Sequence, residues 1–138
     1  MPAEEQTVDD ESATVVLWEA AGPTRPWNDP RADFRQALAG PASSVLGVRD
    51  GGAKGGTAVV GEDGHRGGLS YVGVEPGRQG RGVGRRLVDA VEEWLRARGV
   101  QKALLVVRRE HVAARGPYTS MGVTDEDVVV LGRRRDAR

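Results

Sequence analysis

The chain contains no cysteine. That excludes a disulfide framework, a thiol nucleophile and a cysteine-ligated metal. Aromatics are nearly as scarce, with one phenylalanine, two tyrosines and three tryptophans, so each tryptophan in so thin a core calls for a reason. No apolar run approaches the roughly 18 residues of a membrane-spanning helix. The opening Met-Pro-Ala-Glu-Glu-Gln has neither the basic nor the apolar region of a signal peptide, and a soluble cytoplasmic setting is expected. Net charge is lacking too. The 20 basic residues offset the 20 acidic ones, which removes the general attraction of a basic chain to nucleic acid or membranes. The length, 138 residues, suits one domain with one core.

What the chain has in abundance is glycine, and the most informative glycines lie between Leu69 and Gly99. Leu69–Val74 is rich enough in β-branched and aromatic residues for a buried strand. Pro76 and Gly77 stop it. From Val83 the apolar residues Val83, Leu87, Val91, Trp94 and Leu95 fall on one face of a helix, and Gly99 stands where a C-terminal cap belongs. The loop between strand and helix contains Gly80, Gly82 and Gly84. Glycine there lets a ligand approach the backbone and makes positive φ inexpensive. The first N–H groups of a helix lack internal partners and sit at the positive end of its dipole. The stretch therefore reads as a phosphate cradle, with Arg78, Arg81, Arg85 and Arg86 adding positive charge around it.

Two common phosphate loops do not match. A dinucleotide fingerprint needs glycine where Arg85 stands, and a P-loop needs a Gly-Lys-Ser/Thr run that is absent. What matches is Gln79-x-x-Gly82-x-Gly84 directly after a strand. This resembles motif A of the GNAT superfamily of N-acetyltransferases, whose loop binds the pyrophosphate of acetyl-CoA.

The remaining chain reads as follows. Residues 1–12 are polar and acidic and are expected to be flexible, with a short strand near Gln6–Val8. Asp9 or Asp10 caps a helix from Glu11 to Ala21, ended by Gly22-Pro23. Asp29-Pro30 starts a second helix running to about Leu38, with proline at its first position. Strands are predicted at Ser43–Arg49 and Thr57–Gly61, separated by a glycine-rich turn over Asp50–Gly56. Asp63-Gly64 marks a hairpin leading into the central strand. Lys102–Val107 is a strand-length apolar run, a short helix covers Val112–Met121, and Asp127–Leu131 is the last strand. Residues 13–133 form one domain and residues 134–138 a charged tail.

This order of elements is also that of the GNAT fold, an α/β (α+β) acyl-CoA N-acyltransferase architecture with a mixed, mostly antiparallel central sheet flanked by about four helices. A second motif is Tyr118-Thr119-Ser120-Met121-Gly122-Val123. In the family such a tyrosine protonates the departing CoA thiolate. Leu17-Trp18-Glu19, Arg25-Pro26-Trp27-Asn28-Asp29-Pro30, Asp63-Gly64-His65-Arg66-Gly67 and Val129–Arg133 further resemble the YpeA-type subfamily of small GNAT proteins. The resemblance implies acetyl-CoA as acetyl donor and no metal. It places Val72, Gly73 and Val74 along the pantetheine arm and Gln79, Gly80, Arg81, Gly82, Val83, Gly84 and Arg85 around the pyrophosphate. His111 stands where relatives carry a cofactor-contacting asparagine. Val106 stands where enzymes acting on ribosomal-protein N-termini carry a basic glutamate, which argues against that substrate class. Val123 replaces an aromatic, and Pro117 requires the helix at Tyr118 to start late or kink.

The implied mechanism is direct transfer in a ternary complex, with a strand N–H polarising the thioester carbonyl and Tyr118 as acid. A base must take the amine's proton. His65 titrates near neutrality when unperturbed and is flanked by Glu62 and Asp63. It reads either as that base or as a solvated hairpin tip. Trp18, Trp27, Asn28 and Asp29, with Asp63 and Arg66, read either as walls of an acceptor site for a cationic small-molecule or peptide amine or as core plugs and a helix cap. Trp94 reads as core or as a subunit contact in a homodimer. The alternative to an enzyme is a non-catalytic acetyl-CoA-binding or protein-interaction module of the same fold.

Overall fold

The computed structural model describes residues 1–109 and 117–135. They fall into two compact units, Met1–Val106 and Val107–Arg138. The first carries a five-stranded sheet, β1 (Ala3–Glu5), β2 (Ser43–Asp50), β3 (Ala53–Glu62), β4 (Gly67–Val74) and β5 (Ala103–Leu105), ordered β1-β2-β3-β4-β5. The first three pairings are antiparallel and β4–β5 is parallel. Three helices flank it, α1 (Glu11–Ala21), α2 (Pro30–Ala39) and α3 (Val83–Ala97). A fourth helical turn, residues 117–120, belongs to the second unit. This is the expected mixed sheet.

Side chains alternate across the strands, and the two faces bury different partners. Leu46, Val48, Ala58, Val60 and Leu69 pack with Val83, Leu87, Val91 and Leu95 of α3. Val45, with Val59 and Tyr71, packs with Leu17, Trp18, Phe34 and Ala37 of α1 and α2. The sheet thus divides two apolar clusters. Glycine lets α3 sit close. A Cβ on Gly56 would stand 2.8 Å from Val83 Cγ1 and 2.9 Å from the Gly73 carbonyl oxygen, and one on Gly67 would run into Leu95.

Three helix ends follow their sequence signals, while at the start of α1 Asp10 holds the N-cap position but accepts from Thr7 N–H instead of capping the helix. Asp29 caps α2 by accepting from Ala32 N–H at 3.2 Å, with Pro30 at the first position. α1 ends at Gly22, in the left-handed region. After α3, Gly99 N–H donates to the Arg96 carbonyl and Val100 N–H to that of Leu95, both at 3.0 Å, the paired bonds of a Schellman cap.

Three expectations are corrected. The N-terminal segment is part of the sheet: Ala3, Glu4 and Glu5 pair with Val48, Gly47 and Leu46, and residues Val8–Asp10 form a 3-10 turn rather than a strand. Only Gly51 and Gly52 turn the chain between β2 and β3, both with positive φ, and the other glycines of that run lie inside β3. Asp127–Leu131 makes no strand among the described residues. Val128, Val129, Val130 and Leu131 are exposed there, because strand propensity forms a ladder only where a partner edge pairs with it.

Candidate active site

β4 leads into the glycine loop through a tight turn. The Glu75 carbonyl accepts from Arg78 N–H at 2.8 Å, and the Glu75 carboxylate accepts from Gly77 N–H at 3.0 Å. Gln79 is extended and exposed. Gly80 and Gly82 both adopt left-handed backbone, with φ of +78° and +91°. Gly82 is the N-cap of α3, and no side chain caps that end. The first helical bond runs from Arg86 N–H to the Gly82 carbonyl at 3.0 Å. The amides of Val83, Gly84 and Arg85 therefore precede the ladder and point outward.

The space in front of these amides is open. A Cβ on Gly80 would meet nothing within 4 Å, and one on Gly84 nothing nearer than Val74 Cγ2 at 3.8 Å. Gly84 thus needs glycine neither for φ nor for packing, and its missing methyl keeps the approach to the helix end clear. A set of N–H donors at an uncapped helix start, with room before it, fits a pyrophosphate.

The four arginines expected to add positive charge around the loop are engaged unequally. Arg81 Nε donates to Asp50 Oδ2 at 2.6 Å, and Arg78 lies 3.2 Å from the same oxygen while donating to the Asp50 carbonyl at 2.9 Å. Arg81 and Arg78 hold the Asp50 carboxyl below the usual range, Arg81 most strongly through its hydrogen bond. Arg86 Nε donates to the Met1 carbonyl at 2.9 Å, and the same side chain faces Glu93. Arg85 is exposed, and no carboxylate among the described residues pairs with it. Arg78 and Arg81 therefore brace the loop through Asp50, while Arg85 stays exposed beside it.

β4 itself changes character midway. Its pairing with β5 is confined to Gly67, Gly68 and Leu69. On the β3 side, Ser70 pairs with Val59 and Gly73 with Thr57, so three steps on β4 face two on β3, a bulge. Tyr71, inside the bulge, has φ +51°. Its ring stacks on Trp18 with centroids 4.4 Å apart, and its hydroxyl donates to Asp33. Burial and the Asp33 hydrogen bond push the phenol's pKa up. In sequence Tyr71 is only an aromatic within a buried strand, and its backbone conformation has no sequence signature. Val72 and Val74 are half-buried against the α3 cluster and Gly73 is buried.

The predicted acceptor residues separate. Trp18 has no exposed surface, standing between Tyr71 and the edge of Phe34, whose ring centroid is 6.1 Å away. The core reading of Trp18 is the one its geometry matches, since a wholly enclosed ring offers no face to an acceptor. Trp27 is 54% exposed, and Asn28 N–H closes a turn onto the Arg25 carbonyl at 2.9 Å. Asp29 is engaged as the α2 cap, leaving the carboxylate exposed.

The hairpin residues are brought together with one another and not with the cradle. Asp63 Oδ1 accepts from Arg66 N–H at 2.8 Å and His65 N–H at 2.9 Å, and these bonds, Arg66's first, hold its carboxyl below the usual range. His65 and Arg66 are exposed at the tip. The length of β4, about 25 Å for eight strand residues, separates this tip from the glycine loop. Asp63 thus clamps its own turn through one carboxylate oxygen.

In the second unit, Pro117 opens the described helical turn and Tyr118 is half-buried, which pushes its hydroxyl pKa up. Val123 N–H donates to the Tyr118 carbonyl at 3.1 Å and Gly122 N–H to that of Thr119 at 3.0 Å, with Gly122 at φ +84°, so the turn ends in a second Schellman cap. His111 lies outside the described residues. Among the described residues no group of His, Asp and Glu is placed to hold a metal ion, and no helix is long and apolar enough to cross a membrane.

Comparison with known proteins agrees with this geometry. The acetyltransferase (GNAT) family matches residues 12–123. An acetyltransferase of Pectobacterium atrosepticum is 37% identical over 126 residues, covering 91% of this chain and 89% of that protein. An uncharacterized N-acetyltransferase of Yersinia pestis is 36% identical over the same shares of the two chains. Among solved structures, the aminoglycoside N-acetyltransferase AAC(6')-Iy, in complex with the bisubstrate analogue CoA-S-monomethyl-acetylneamine, superimposes with a TM-score of 0.83 at 17% identity over 97% of both chains. The ribosomal-protein-S18-alanine N-acetyltransferase of Escherichia coli gives 0.76 at 24% identity, over 88% of this chain and 76% of that one. A mixed sheet opening beyond Leu69, an uncapped glycine loop before α3 and close relatives over nine-tenths of the chain converge: the chain belongs to the acetyltransferase (GNAT) family, whose acetyl donor is acetyl-CoA.

Proposed function

We propose that the chain transfers an acetyl group to the amine of a small molecule or peptide by direct attack, with donor and acceptor bound together. The observation that carries this reading is the uncapped start of α3, continuous with a β4 edge that β5 leaves after Leu69. In this reading the amides of the Gln79–Arg85 loop hold the pyrophosphate, with Gly80, Gly82 and Gly84 giving access and Arg85 adding charge. The backbone of Val72, Gly73 and Val74 takes the pantetheine arm as an added strand. Bound acetyl-CoA supplies an acetyl group activated as a thioester. A β4 N–H polarises its carbonyl. Tyr118 gives its proton to the departing sulfur, and the proton that the amine sheds on forming the amide returns to the tyrosinate through solvent; the role is supported by Tyr118's place in the second family motif and by a hydroxyl whose raised pKa keeps it protonated at neutral pH.

On the acceptor side, the exposed Trp27 indole and the Asp29 carboxylate suit a cationic amine. The names of the structural neighbours span an aminoglycoside and a ribosomal-protein alanine as acceptors, which supports an amine without choosing between a small molecule and a peptide.

Thermal unfolding with acetyl-CoA, CoA, ATP and NAD in turn tests the donor reading. At a hundred times its Kd a ligand adds about 2.7 kcal/mol. The expected result is a shift with acetyl-CoA and CoA alone, and no shift with either would overturn the reading. An amine panel then follows. Tyr118→Phe is expected to lower kcat by about 100-fold while acetyl-CoA binding stays as it was. A Tyr118→Phe protein with undiminished turnover would remove Tyr118 as the acid.

A further inference from the structure

We infer that Tyr71 and Asp33 form a positioning pair that fixes the acetyl-receiving part of β4 and so sets the preference for acetyl-CoA over bare CoA. This rests on the reading above, in which the donor lies along β4.

The bulge is the starting point. Between the Ser70–Val59 and Thr57–Gly73 pairs, β4 carries one residue more than β3, and Tyr71 takes up the excess with φ +51°. A bulky residue is an outlier in that region, whereas glycine enters it freely. The strand has glycine at 67, 68 and 73, yet tyrosine occupies the strained position. A backbone conformation of this kind persists only where the surroundings over-determine it, and such sites cluster where function needs them.

Here the surroundings can be named. One face of the Tyr71 ring lies against Trp18, stacked at 4.4 Å with the planes 29° apart. Trp18 is itself wholly enclosed and braced by Phe34. The Tyr71 hydroxyl donates to the Asp33 carboxylate on α2, one turn after the Asp29 cap. The bulge is therefore tied to two helices at once, through a ring stack to α1 and a hydrogen bond to α2.

Its location gives the tie a purpose. β5 pairs with β4 up to Leu69, and the bulge begins at the next residue. The glycine loop lies at the other end of the strand, beyond Val74. An arm that starts with its phosphates at that loop and runs back along the free edge reaches the bulge with its acetyl end. The pair thus acts on the thioester through the backbone it holds, and its loss is felt by the acetyl group before it is felt by the phosphates.

Titration calorimetry of the full chain with acetyl-CoA and with CoA separates these ends, since the two ligands differ only in the acetyl group. For Tyr71→Phe and Asp33→Ala the expected result is an unchanged CoA Kd and a loss of acetyl-CoA affinity of about fivefold to tenfold, the scale of one lost hydrogen bond. Asp33→Asn keeps an oxygen for the phenol and is expected to restore most of that loss. Thermal unfolding of each variant checks the fold, and Asp33→Ala answers the question if Tyr71→Phe does not fold. An acetyl-CoA to CoA affinity ratio equal to wild type in the folded variants overturns the pair while leaving the proposed function intact. Wild-type protein that binds neither ligand overturns the function reading, and the pair with it.

Discussion

Gly84 carries the sharpest test available at a single residue. Its backbone is helical and a Cβ there would find only an ordinary contact with Val74, at 3.8 Å. Replacing glycine by alanine in a helix gains up to about 1 kcal/mol, so Gly84→Ala is expected to leave stability unchanged or raise it. If the phosphates bind at the start of α3 as proposed, the added methyl crowds that approach, and acetyl-CoA affinity is expected to fall at least tenfold. Denaturant unfolding and calorimetry on the same preparation check both signs; equal affinity would mean that the ligand does not approach the helix at Gly84. Local structure was legible where side-chain type and spacing carry it, as with the Asp29 cap before Pro30. It was not legible where the backbone decides. Asp63 reads as an acceptor-site carboxylate in sequence, and one of its oxygens accepts from two amides of its own turn. Tyr71 looks like an ordinary strand aromatic and holds a left-handed bulge.

Among the elements, α3 depends on what β3 lacks. Gly56 lies under Val83 and Leu87, and a Cβ there would also stand 2.9 Å from the Gly73 carbonyl of the neighbouring strand. A side-chain tip can move aside but a paired backbone cannot. Gly56→Ala is expected to destabilise the fold by about 1–3 kcal/mol, the usual range for overpacking, measured as a shift of the unfolding midpoint. Wild-type stability in that variant would show that α3 can lift off the sheet freely. The same glycine explains a misread boundary. A run containing Gly51, Gly52, Gly55 and Gly56 suggests one long turn in sequence, but only the first pair turns and the second pair clears space for a helix that is distant in the chain. By contrast, α1 matches its expected bounds because its stop, Gly22-Pro23, is local. Residues 127–131 have a strong strand composition and no ladder among the described residues, since pairing is a property of two segments and composition of one.

For the whole molecule, titration limits stability from both sides. Asp10, Glu11, Asp50 and Asp63 all have carboxyl pKa values below normal in the folded chain, each mainly through hydrogen bonds. A group with a lowered folded pKa contributes stability above its unfolded pKa, near 4, and loses it as pH falls through the folded value. Both tyrosines are raised, by burial first, so their contribution is present below about pH 10 and is lost as pH rises past it. The melting temperature is expected to be level between pH 5 and 9 on this account, to drop below about pH 4 and to drop again above about pH 10. A protein whose stability stays flat down to pH 2.5 would show that these carboxylates contribute nothing on folding.

The division of the core by the sheet bears on how such a protein can change over generations. α3, which follows the glycine loop, is anchored in one apolar cluster, while α1 and α2 rest on the other. Substitutions that reshape the α1–α2 side repack a cluster to which the donor loop does not belong. If donor and acceptor lie as proposed, a lineage can vary what it acetylates while inheriting its grip on the acetyl source, and the Tyr71–Asp33 contact is one place where the two inheritances meet.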